Sequence, residues 1–172
     1  KEVLNSDFLT QGPMVPRFEA ALVRTVNAQF GVAVNSATSA LHIACLALGV
    51  GQNDIVWTVP NTFVASANCA LYCNAEIDFV DIDPKTWNMS VEKLSEKLIR
   101  AAANGKLPKV IIPVHFSGQP TVQDKIYELA SAYGIKIIED ASHSIGARFL
   151  DEDVGSCKWS DITVFSFHPV KI

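Results

Sequence analysis

Charge of either sign is scarce in this chain. Only 19% of its 172 residues are Asp, Glu, Lys or Arg, and 14 Lys and Arg against 18 Asp and Glu leave a net charge of −4. Without a basic excess, an overall nucleic-acid binder or anionic-membrane binder is excluded. A hydrophobic content of 49% excludes a disordered chain. No apolar stretch approaches the roughly 20 residues that span a bilayer, and the start carries no charged segment followed by an apolar one, as a secretion signal would. Four cysteines (Cys45, Cys69, Cys73, Cys157) are too few for a disulfide scaffold, and the C-x-x-x-C at 69 and 73 lacks the second half-site of a zinc centre, so no metal is expected. They read as small buried hydrophobes in a reducing cytoplasm. Neither G-x-G-x-x-G nor a P-loop occurs, which leaves a nicotinamide or ATP reading without a motif.

What is present is a rhythm. From Pro16 to Phe30 the apolar positions Phe18, Ala21, Leu22, Val26 and Phe30 recur at helical spacing, with Gly31 as the stop. After it, β-rich runs at Val32–Val34, Ile55–Val59, Ile77–Ile82, Val110–Phe116, Ile135–Glu139 and Ile162–Phe167 alternate with helical patterns. Those patterns cover Thr38–Leu48, Phe63–Cys73, Val91–Ala103 and Val122–Tyr133. Gly49, Gly105 and Gly134 sit where helix C-caps belong, and Ser90 and Thr121 where N-caps belong. Near-continuous apolar strands such as Val110 to Val114 predict a mostly parallel sheet covered on both faces, an α/β fold of three layers, αβα. A small hairpin is expected from Arg148 to Gly155 with its turn at Asp151-Glu152-Asp153. The length suits one domain, but the chain opens on Lys1 and stops at Lys171-Ile172 just after an apolar run. Residues 1–172 therefore read as an incomplete domain of a longer protein.

In open α/β sheets ligands collect beyond the C-terminal ends of the strands. Three features fall there. Asn35-Ser36-Ala37-Thr38-Ser39-Ala40 opens a helix with small hydroxyl residues and can hold a phosphate on free amides and the positive end of the helix dipole. An ordinary N-cap explains the same residues. Glu139-Asp140 ends a buried strand with two acids, so Asp140 is a metal ligand, a general base, the counter-ion of a cationic heterocycle, or simply a turn cap, with His143 in reach. Lys171 follows another buried strand, where desolvation favours the neutral, nucleophilic amine, although most lysines are solvated surface charges. Together these are the three fixed points that pyridoxal 5'-phosphate needs: a lysine for its aldehyde, an acid for its pyridine nitrogen and a helix start for its phosphate. Phe63, after Pro60-Asn61-Thr62, offers a flat face for the ring or else a core aromatic at a helix start.

At these residues the chain resembles the pyridoxal-phosphate-dependent sugar aminotransferases of the DegT/DnrJ/EryC1/StrS family. Leu9 to Pro13 with Phe18-Glu19, Asn35 to Leu41, Thr62-Phe63-Val64, Pro113 to Gly118, Glu139 to Ala147 and Phe165 to Lys171 resemble six family segments in order. The resemblance implies the N-terminal part of the fold-type I large domain, with the rest of that domain and a small C-terminal domain lying beyond this chain. It implies Lys171 as the Schiff-base lysine and proton carrier, Asp140 on the pyridinium nitrogen, Phe63 stacked on the ring and His143 on the ring hydroxyl. Thr38, Ser39 and Ser166 would hold the phosphate. A homodimer, glutamate as amino-acid donor and a UDP-linked 4-keto-6-deoxy amino sugar as nucleotide-sugar substrate are the partners it implies. Relatives with histidine at the lysine position are dehydratases, so Lys171 favours the transaminase branch. Two other readings remain: a non-catalytic α/β fragment that dimerises, and a Rossmann-type binder, which the glycine-free turn at Asn35–Ala40 disfavours.

Overall fold

A computed structural model of the chain describes residues 1–171, so the last position of the expected 1–172 unit lies outside the described residues. Five parallel strands form one sheet in the order β2-β1-β3-β4-β7, from β1 (Ile55–Thr58), β2 (Glu76–Phe79), β3 (Val110–Ile111), β4 (Lys136–Asp140) and β7 (Ile162–Val164). The crossover helices are α3 (Ala65–Tyr72), α4 (Val91–Ala103) and α5 (Gln123–Ser131), preceded by α1 (Met14–Val26) and α2 (Ala37–Ala47).

The period of two along each strand builds the layers. Val56, Val110, Ile112, Ile138 and Val164 face Leu41, Ala44 and Cys45 of α2 and Cys69 and Ala70 of α3. Their neighbours Trp57, Ile111 and Ile137 face Leu94 and Leu98 of α4 and Ile126 and Ala130 of α5. Both sheet faces are thus covered, the three-layer αβα arrangement that continuous apolar strands require. Fully buried side chains such as Leu94, Leu98 and Ile126 each contribute about 1.5–3 kcal/mol through burial. Local chemistry sets the ends of α4: the Ser90 hydroxyl accepts from the Lys93 amide, Glu92 lies in the first turn and Arg100 in the last. No helix among the described residues is long and apolar enough to cross a membrane.

Several expectations are corrected. Val32–Val34 forms no strand: the described sheet ends at β7, and no described strand lies alongside this segment to complete a ladder. The first helix ends at Val26 rather than Phe30, because Asn27 adopts φ 54° and its amide closes on the Val23 carbonyl. Thr121 does not cap α5; Val122 holds that position, and the Thr121 amide instead donates to His115 Nδ1. The hairpin pairs β5 (Arg148–Phe149) with β6 (Glu152–Asp153) around Leu150 and Asp151, both at positive φ, the geometry of a two-residue type I′ turn. Pro113 has no amide to donate, and β3 is correspondingly short; only an isolated bridge joins Val114 to Asp140 beyond it. Cys45, Cys69 and Cys73 are buried as expected, whereas Cys157 is exposed.

Candidate active site

The chain leaves β1 outward to β2 and then returns to β3 on the other side of β1, so connections diverge there, the topology that in open α/β sheets gathers ligands at the C-terminal strand ends. That end of the sheet receives Asn61–Phe63 after β1, His115 after β3, Asp140 at the tip of β4 and Ser166 to Lys171 after β7. The N-terminus of α2 lies at the same end, since a short connection joins the opposite end of α2 to the start of β1, and α2 packs on β4 and β7.

The two adjacent acids of β4 point to opposite faces and live in opposite chemistry. Glu139, 2% exposed, accepts from Gln123 Nε2 and, at 2.8 Å, from Thr163 Oγ1, with His115 Nε2 3.9 Å away. Burial pushes its carboxyl up, but the His115 imidazole beside it and the hydrogen bonds from Gln123 and Thr163 outweigh that and hold it below the usual range. Because His115 Nδ1 accepts the Thr121 amide at 3.1 Å, the neutral imidazole carries its proton on Nε2, facing Glu139. This is a satisfied structural acid.

Asp140 is 5% exposed and faces α3. Its Oδ2 accepts from Ser66 Oγ at 2.6 Å, and its Oδ1 accepts from the Ser142 hydroxyl at 2.6 Å and the Ser142 amide at 3.2 Å. Three donors occupy a carboxylate that offers about four acceptor positions, and no ion pair to it occurs among the described residues. One acceptor position and one unit of negative charge are left for something else.

Phe63 precedes α3 and is 66% exposed, which removes the alternative of a core aromatic. The Lys171 ammonium lies 5.7 Å from the centroid of its ring, so the structure brings these two predicted residues together. The turn holding the lysine is closed by its own amide on the His168 carbonyl at 2.8 Å. At α2, Ser36 is the N-cap: its hydroxyl accepts from the Ser39 amide at 3.2 Å and lies 3.1 Å from Ser39 Oγ. The Ala37 and Thr38 amides precede the first intrahelical bond, so the capping and anion-holding readings coexist. Ser166 is nearly buried and accepts the His168 amide at 3.4 Å. His143 is exposed; its carbonyl oxygen lies 2.9 Å from where a Cβ on Gly118 would stand, and its ring makes no hydrogen bond among the described residues.

Sequence reasoning missed Ser66 and Ser142, the partners of Asp140, and the His115–Glu139 pair. Ser66 had a signal: it sits in the buried stripe Ala65, Ser66, Cys69, Ala70, and a hydroxyl on such a stripe demands a partner.

The model of the DegT/DnrJ/EryC1/StrS aminotransferase family matches residues 1–172. The chain belongs to that family. Over 170 residues it is 42% identical to the UDP-4-amino-4,6-dideoxy-N-acetyl-beta-L-altrosamine transaminase of Campylobacter jejuni, covering 99% of this chain and 43% of that one. A DegT/DnrJ/EryC1/StrS aminotransferase from Brucella abortus superposes with a TM-score of 0.93 at 32% identity, over 99% of this chain and 45% of the other. NtdA from Bacillus subtilis, solved with bound cofactor PMP, superposes with a TM-score of 0.82 at 33% identity over 94% and 34%. The chain thus spans less than half the length of the DegT/DnrJ/EryC1/StrS relatives it matches.

Proposed function

We propose that the full-length protein transfers an amino group, with pyridoxal 5'-phosphate as cofactor, from glutamate to a UDP-linked 4-keto-6-deoxy amino sugar. Residues 1–172 are then the N-terminal part of its large domain. The observation that carries this reading is Asp140: a nearly buried carboxylate with three donors, one open acceptor position and no cation beside it among the described residues. A buried charge left so is costly unless a cationic group completes it, and a protonated pyridine nitrogen has the required single N–H. The remaining residues fit the same group. Phe63 offers an exposed ring face beside Lys171 Nζ, and the α2 N-terminus with Thr38 and Ser39, together with Ser166, offers amides and hydroxyls to a dianionic phosphate.

When bound, pyridoxal phosphate supplies an electron sink for charge developing beside the transferred nitrogen. The chain supplies the rest. Asp140 keeps a proton on the heterocycle opposite it. Lys171 Nζ holds the aldehyde and carries the proton that transamination moves, and Phe63 excludes water from one face. His143 is assigned to the ring hydroxyl. The nucleotide-sugar substrate rests on the Campylobacter relative's own activity. The reading extends to a homodimer in the cytoplasm; the exposed apolar side chains Ile43, Leu46, Leu71 and Tyr72 of α2 and α3 suit burial against a second copy.

The test is turnover of a UDP-4-keto-6-deoxy sugar with glutamate by the full-length protein, followed as 2-oxoglutarate release. Turnover by the full-length protein and silence from the 172-residue chain assign this chain as a fragment without a complete site. Silence from both refutes the reading.

A further inference from the structure

The family likeness and the cofactor reading leave Ser66 and Thr62 without a role. Ser66 is 0% exposed on α3, and its hydroxyl has three oxygens in reach: Asp140 Oδ2 at 2.6 Å, Thr62 Oγ1 at 2.8 Å and the Phe63 carbonyl at 3.2 Å. A hydroxyl has one proton to give. The Phe63 carbonyl already receives the Ser66 amide at 3.1 Å, and the shortest contact is to the only carboxylate of the three, where charge strengthens the bond. The Ser66 proton therefore goes to Asp140, and Thr62 Oγ1 must donate to Ser66 Oγ. The direction is fixed: Thr62 to Ser66 to Asp140.

We propose that Thr62 and Ser66 form a hydroxyl relay that positions Asp140 toward the cofactor's ring nitrogen and ties that carboxylate to the turn presenting Phe63. The relay occupies Oδ2 from the α3 side while Ser142 holds Oδ1 from the strand side, so the carboxylate cannot rotate without breaking a bond at each oxygen. Thr62 and Phe63 are neighbours on the turn that leads into α3, so the acid and the aromatic are set by one rigid element. Ser66 and Thr62 are positioning residues; neither is assigned contact with the cofactor.

This inference rests on the cofactor reading, and the experiment separates the two. The full-length apoprotein is titrated with pyridoxal phosphate by absorbance, as wild type, Ser66→Ala, Ser66→Thr, Thr62→Val, Asp140→Asn and Ser66→Ala with Asp140→Asn, and thermal melts confirm that each variant folds. Ser66→Ala is expected to weaken cofactor binding by about 10- to 150-fold, the loss of one bond to a charged group, and Thr62→Val to weaken it less. Ser66→Thr, which keeps the hydroxyl, restores at least part of the affinity. In the Asp140→Asn background Ser66→Ala costs nothing further, because the relay acts only through that carboxylate. Wild-type binding by folded Ser66→Ala, or an equal loss in the Asp140→Asn background, overturns the relay and leaves the cofactor reading standing. Failure of the wild type itself to bind overturns both.

Discussion

Replacing either acid at the tip of β4 by its amide should have opposite consequences, though the two are neighbours and almost equally buried. Glu139 is bonded by Gln123 Nε2 and Thr163 Oγ1 and faces His115 Nε2, so every group around it offers a proton. Glu139→Gln turns one oxygen into a donor facing donors. Leaving a buried polar group unmatched costs about 1–3 kcal/mol, and Glu139→Ala, which strips the acceptor from both Gln123 and Thr163, about 2–6 kcal/mol. For a chain of 150–250 residues 1 kcal/mol corresponds to roughly 2–4 °C, and for the longer full-length protein to less, so the amide variant should melt up to about 12 °C lower and the alanine variant up to about 24 °C lower. Asp140→Asn keeps an oxygen for Ser142 and removes a buried charge that no described cation compensates. Its melting point should stay within about 2 °C of wild type, while its affinity for pyridoxal phosphate falls at least tenfold. Calorimetry and absorbance titration of the full-length protein read both numbers. A Glu139→Gln melt equal to wild type, or an Asp140→Asn variant that unfolds like Glu139→Ala, would refute the assignment of one acid to structure and the other to the site.

Acid should expose the same network. The folded-state carboxyl of Glu139 titrates below its usual range, so its contribution is complete above about pH 4.3 and is lost as pH falls through the lowered value; melts from pH 7 to 3 should converge for wild type and Glu139→Gln at the acid end. Phe63→Ala removes an exposed ring and should change stability by no more than about 0.5 kcal/mol while weakening cofactor binding, and a large melting loss would place Phe63 in the core instead. Gly118 holds φ +86° and an added Cβ would stand 2.9 Å from the His143 carbonyl oxygen. Gly118→Ala should therefore cost more than 1 kcal/mol in denaturant unfolding, because the main chain around His143 has to move.

The layers were legible because strand and helix periods are local: α4 was read with both ends correct from Leu94, Leu98, Ser90 and Gly105. Val32–Val34 was misread since a strand is defined by its neighbour, which no local pattern reports. At the candidate site, Asp140, Phe63 and Lys171 could be named because each lies at or beyond the C-terminal end of a strand, where topology gathers ligands. Ser66 could not be paired with Asp140, 74 positions away, without the packing of α3 on the sheet. Sequence singled out Asp140 but could give Glu139 no role; the sheet's alternation does, sending one toward α5 and the other toward α3.

On the proposed function, Lys171 carries the cofactor. Full-length protein incubated with pyridoxal phosphate, reduced with borohydride and digested should yield one modified peptide by mass spectrometry, with the pyridoxyl group on Lys171 and none on the same peptide from Lys171→Ala. Modification at another lysine, or spread over many, would contradict the assignment of Lys171.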